Sequence, residues 1–151
     1  MITTVGMIGL GIMGSAMSTN LLAAGFAVVG CDIDSKRVDD FVEKGGRSAA
    51  TPSEAVADAD VAILSLPSIT AFEDVVGSLT ASGQGDLIII DTSTLPIAAK
   101  EHARDSLAAR DIAMMDCPLS GTGDGEFSLA IRDSCESGGR ESQGEGQFVA
   151  Q

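Results

Sequence analysis

Ile8-Gly9-Leu10-Gly11-Ile12-Met13-Gly14 is the stretch on which the reading of this chain turns. Ahead of it, residues 2–8 form a short, apolar, β-branched run of strand length. Behind it, Ile12, Met13, Ala16, Met17, Leu21 and Ala24 recur at helical spacing until Gly25 ends the stripe. A Gly-x-Gly-x-x-Gly pattern between a strand and a helix makes a phosphate cradle. Gly9 makes the tight turn, Gly11 lets the backbone approach a diphosphate, and Gly14 lets the helix pack close to the strand. The helix start then offers unpaired N–H groups and a positive partial charge. Asp32 closes the next apolar run, 18 residues after Gly14, where a carboxylate accepts from an adenosine ribose hydroxyl. The competing reading is a plain turn followed by an exposed acid; the strand–glycine–helix–strand–acid order favours dinucleotide binding.

Outward from the glycines, apolar strands and helices alternate. Residues 26–31 read as a second strand, with a helix over 35–44 capped by Ser35 and facing inward through Val38, Phe41 and Val42. A weak strand follows near 47–50. Thr51-Pro52-Ser53-Glu54 reads as a helix start, with proline at the first helical position and Glu54 completing a capping box. Strands are expected over 60–66, 86–91 and 112–115, with helices over 68–79 and 96–109. The run Leu87-Ile88-Ile89-Ile90 predicts a fully buried strand. Such alternation predicts an α/β fold, a doubly wound parallel sheet covered on both faces.

The carboxyl ends of the strands are where such a sheet holds ligands. Those ends carry Leu66-Pro67-Ser68, Asp91-Thr92-Ser93-Thr94 and Cys117-Pro118-Leu119-Ser120-Gly121-Thr122-Gly123. Thr94 and Ser120 offer hydroxyls, and the glycines after Ser120 offer backbone N–H groups to an anion. Thr94 as a cap for the following helix, and the glycines as an ordinary loop, remain open alternatives. On the cofactor, Asp32 and Asp34 would repel a ribose 2′-phosphate, so NAD is favoured over NADP. Lys36 and Arg37, on the next helix, could swing round to hold a phosphate but read first as solvent-facing charges.

Composition narrows the classes of function. Nine basic against 22 acidic side chains leave a net charge of −13, which argues against nucleic acid or an anionic membrane surface as partner. No apolar run has the length of a membrane span and no signal peptide is visible, so a cytoplasmic protein is expected. Cys31, Cys117 and Cys135 are too few and too scattered for a disulfide framework, and no metal-ligand cluster is predicted. His102, the single histidine, reads as a surface residue.

Taken in order, the glycine stretch, Cys31-Asp32-Ile33, Leu66-Pro67, Asp91-Thr92-Ser93-Thr94 and Asp116-Cys117-Pro118-Leu119-Ser120-Gly121-Thr122 resemble the β-hydroxyacid dehydrogenase family. The resemblance runs from about residue 2 to about 125. It implies a Rossmann-type domain in which Gly9, Leu10, Gly11, Ile12, Met13, Gly14, Asp32, Leu66, Pro67 and Thr94 hold NAD. Ser120, Gly121 and Thr122 would bind the carboxylate of a small hydroxy acid, Thr122 standing where the family usually has glycine. The resemblance also implies a catalytic lysine, in a Lys-x-x-Asn setting, on a later helix. No lysine follows Lys100, so no catalytic residue is assigned. The domain is expected to span residues 1–125.

Residues 126–151 are expected to form an irregular tail. Cys135, Phe148, Val149 and Ala150 are the only hydrophobic residues after Arg132, too few to offset the entropy of ordering that stretch. The reading is therefore of a truncated or frameshifted chain without the family's helical domain, inactive alone, its last strand left as an exposed edge. A homo-oligomer is left open. The alternative from another class is a non-catalytic NAD-binding regulatory module, and a methyltransferase-like nucleotide domain stands third.

Overall fold

The computed structural model describes residues 1–82, 85–121 and 127–129. Strands and helices alternate from the start: β1 (Thr4–Ile8), α1 (Ile12–Ala23), β2 (Ala27–Cys31), α2 (Ser35–Glu43) and β3 (Arg47–Ser48). The second run is α3 (Pro52–Val56), β4 (Val61–Leu64), α4 (Ile69–Ser82), β5 (Ile88–Asp91), α5 (Ile97–Ala108) and β6 (Ala113–Asp116). These six strands form one parallel sheet in the order β3-β2-β1-β4-β5-β6. β7 (Leu119–Gly121) and β8 (Phe127–Leu129) form a separate antiparallel pair. Order and direction match the doubly wound sheet expected from the alternation.

Side chains one residue apart on a strand point to opposite faces, and that alternation divides the core. Met7, Leu10, Val28 and Phe41 gather on one side with Met17, Leu21 and Val38, under α1 and α2. Ile8 and Val29 lie on the other side with Val56, Phe72, Leu79, Ile89 and Leu107, under α3, α4 and α5. Chain order therefore fills one face first and the other second, as two successive right-handed windings require.

Local chemistry sets the element ends, and several differ from expectation. Asp34, not Ser35, caps α2, because its extended backbone lets the carboxylate accept from the Lys36 N–H at 3.0 Å. Val42 turns outward at 45% exposure while Phe41 faces in. Thr51 Oγ1 accepts from Glu54 N as the capping box predicts, but Glu54 returns its bond to Ala50 N rather than Thr51 N. Helix α4 runs past Leu79 to Ser82, and the Thr80 and Ser82 hydroxyls donate back to carbonyls in its last turn. β5 is not buried throughout: Ile89 is sealed, whereas Ile88 is 40% exposed.

Phe41 sits in a slot made by absent side chains. A Cβ on Gly30 would stand 2.7 Å from its ring, and one on Gly46 would stand 2.2 Å away. Of the irregular tail expected over 126–151, Phe127–Leu129 instead form β8, held by pairing with β7, and the rest lies outside the described residues.

Candidate functional site

The glycine stretch occupies the turn from β1 into α1. Gly9 has φ +95°, a conformation that L side chains rarely adopt, and a Cβ there would meet Ser65 O at 2.2 Å. A Cβ on Gly14 would lie 1.9 Å from Gly9 O, so helix and turn touch backbone to backbone. Gly11 is different: the nearest atom to a Cβ there is the Arg37 guanidinium, 4.0 Å away. Its approach is open to a ligand. Gly11 is also the N-cap of α1 and brings no capping side chain, so the first amides of the helix keep their positive ends free of a side-chain acceptor.

Asp32 is fastened to this turn. Its Oδ2 accepts from Leu10 N at 2.7 Å, and its Oδ1 accepts from Asp34 N at 2.9 Å. An ionised carboxylate accepts about four hydrogen bonds. Acceptor capacity therefore remains for a ribose hydroxyl. Arg37 is exposed, as expected, and also lies within 3.6 Å of both Asp32 and Asp34. Lys36 does point away, pairing with Asp40 at 3.0 Å. Ile12 and Ile33 flank the opening, both almost fully exposed.

The other carboxyl-edge loops are laced together. Leu66 N donates to Ser93 Oγ at 3.0 Å, and Thr92 Oγ1 donates to Leu64 O at 2.7 Å. Leu66 is partly buried, whereas Pro67 and Thr94 are exposed. Helix α5 begins behind Pro96 without a side-chain cap, so Thr94 is not its cap. Ser120 and Gly121 lie on β7, in register with Ser128 and Phe127. Thr122 and Gly123 lie outside the described residues.

Lys100 is the feature that sequence reading missed. Its Nζ donates to Ser93 O at 2.6 Å, hydrogen-bonds Asp116 Oδ1, and forms an ion pair with Asp91 Oδ2 at 3.2 Å. Asp91 Oδ2 takes no hydrogen bond, and among the described residues its ion-pair partner is this ammonium. A lysine in a predicted amphipathic helix reads as solvated. The usable signal was the pair of aspartates ending two neighbouring strands, a concentration of buried negative charge that needs a cation.

Cys31 and Cys117 are free and buried, Cys31 ending β2 and Cys117 just after β6. Burial pushes the Cys31 thiol from 9.0 up to about 12, with Asp32 and Glu54 adding repulsion. Burial also raises Cys117, helped by Asp116 and Asp91. A raised thiol keeps its proton when folded, so this contribution to stability is complete below about pH 9 and fades as pH climbs towards 12. We expect iodoacetamide at pH 8 to spare both cysteines until denaturant is added, read by peptide mass mapping. Rapid labelling of Cys31 in the native chain would contradict its burial. His102 is exposed, as expected.

The strand order reverses between β1 and β4, and the cradle opens at that reversal. This defines the class, a dinucleotide-binding α/β domain. Comparison with known proteins supplies the family: the chain belongs to that of the NAD binding domain of 6-phosphogluconate dehydrogenase, which matches residues 4–129. The 3-sulfolactaldehyde reductase of Escherichia coli K12 is 33% identical over 118 residues, covering 76% of this chain and 40% of that protein. The NAD-dependent L-serine dehydrogenase of Pseudomonas aeruginosa is 37% identical over 119 residues, covering 76% of this chain and 39% of that one. Among solved structures, Mycobacterium tuberculosis 3-hydroxyisobutyrate dehydrogenase with L-serine superposes with a TM-score of 0.81 at 28% identity. That match covers 87% of this chain and 46% of that one. The chain thus spans about 40% of the length of the curated relatives it matches. No helix among the described residues is long and apolar enough to cross a membrane.

Proposed function

We propose that this chain is the cofactor-binding portion of an NAD-dependent oxidoreductase that acts on the CH–OH group of a small hydroxy acid. The observation that carries the reading is the bond from Leu10 N to Asp32 Oδ2 across the mouth of an uncapped α1. It brings the glycine turn and Asp32 side by side, which supports a diphosphate on the first and a ribose on the second. Backbone amides from Gly9 to Gly14 would hold the diphosphate, and Asp32 the adenosine ribose. Leu66, Pro67 and Thr94 would border the nicotinamide half, and Ser120, Gly121 and Thr122 the substrate carboxylate. The bound cofactor would supply the hydride acceptor; the chain's own residues bind and orient it.

Preference for NAD over NADP rests on charge. Arg37 is shared between two carboxylates, so the ribose corner carries one net negative charge where a 2′-phosphate would sit. Fluorescence titration should give tighter binding of NADH than NADPH, by about tenfold or 1.4 kcal/mol. Asp32→Asn keeps an acceptor for Leu10 N while removing one charge and leaving Arg37 with Asp34 alone, so the NADPH/NADH ratio should shift towards NADPH by about tenfold. An unchanged ratio would sink the charge argument; no binding of either coenzyme would sink the function. With no lysine after Lys100, the 151-residue chain alone is expected to bind cofactor without turning over hydroxy acids.

A further inference from the structure

Asp91 and Asp116 are direct register partners at the carboxyl ends of β5 and β6. Like charges side by side on adjacent strands repel, and Asp91 is fully buried, where water cannot screen it. Lys100, the fourth residue of α5, places its ammonium on both carboxylates and on the Ser93 carbonyl. Buried lysine is rare, and an ion cluster of this kind is poor evidence for stability, because apolar residues of similar volume often serve as well. What it fixes is geometry. Ser93 N donates to Asp91 Oδ1 at 3.0 Å, Ser93 Oγ holds Leu66 N, and Cys117 N donates to Asp91 O at 2.8 Å. One ammonium therefore ties the ends of β5 and β6 directly, and reaches the loop leaving β4 through Ser93.

We propose that Lys100 is a positioning residue that locks these three loops into a single shelf for the nicotinamide half of the dinucleotide. The inference rests on the cofactor reading above. The topology separates the two halves of the ligand. The adenosine side lies over β1 and β2, where Asp32 and the glycine turn sit, and the second mononucleotide lies across the reversal, over β4 to β6. Among the described residues, the Lys100 contacts lie only on this second side, at the ends of β5 and β6.

The separation gives the test. NADH and ADP are titrated against the full 151-residue chain as wild type, Lys100→Met and Asp116→Asn, with thermal melts alongside. Lys100→Met should weaken NADH about tenfold, the lower end of what losing an orienting partner costs at metal sites, and leave ADP within about twofold. Asp116→Asn keeps the side chain's shape and should show the same pattern at about threefold, so it carries the test if the methionine variant does not melt cooperatively. A structural role alone would lower the melting temperature while moving NADH and ADP together, or neither; either result overturns the proposal. Wild-type chain that binds neither ligand would instead overturn the cofactor reading.

Discussion

Gly14→Ala should weaken NADH binding by about tenfold to a hundredfold and lower stability with it. The new methyl group would lie 1.9 Å from Gly9 O, a backbone atom that cannot swing aside. Helix α1 must then slide away from the turn, and overpacking of this kind costs about 1–3 kcal/mol. Because the same displacement moves the helix amides off the diphosphate, affinity and stability should fall together. Gly11→Ala provides the contrast. Its methyl group meets nothing closer than the Arg37 guanidinium at 4.0 Å, so the free protein should melt within about 0.5 kcal/mol of wild type. The same methyl group occupies the space through which a diphosphate approaches, so NADH binding should still be lost. Calorimetric titration and melting of the two variants separate these outcomes. A Gly11→Ala chain that binds NADH normally would show that the diphosphate does not rest on this turn.

Phe72→Ala should cost about 3–5 kcal/mol, a large share of the roughly 5–15 kcal/mol that holds a domain folded. Phe72 is fully buried on α4, in the cluster that joins α3, α4 and α5 to the sheet. Truncation leaves a cavity in the face that carries the β4 and β5 loops. Urea unfolding should show a lower midpoint with little change in slope. Val42→Ala, by comparison, removes an outward-facing side chain and should stay within about 0.5 kcal/mol. A Phe72→Ala loss below about 1 kcal/mol would mean that this layer is not packed as described.

Much of this architecture is legible in the residues themselves. Glycine spacing, apolar runs and the Thr51–Glu54 capping box are local signals, and local signals survive translation from sequence to fold. The placement of Asp32 beside the turn was legible for the same reason, since it directly follows β2 at a fixed distance from the glycines. Less visible were contacts that depend on register. Lys100 meets Asp116 only because β5 and β6 align Asp91 beside Asp116, which no window of sequence around Lys100 contains. Arg37 is the solvated helix charge it looked like, but its pairing with two acids ahead of the helix start could not be read from its own helix. The Asp34 cap displaced Ser35 by a single position, the scale on which competing cap residues differ least.

Eighteen glycines suggest supple loops, but the pair around Phe41 serves another purpose. Gly30 and Gly46 are negative space, carved to the outline of a benzene ring. Neither position can accept a methyl group while the ring is present, and removing the ring leaves two bare walls with no side chain to lean into the vacancy. Variation at these three sites is therefore concerted: ring and hollows must change in step, and a single change strands the others.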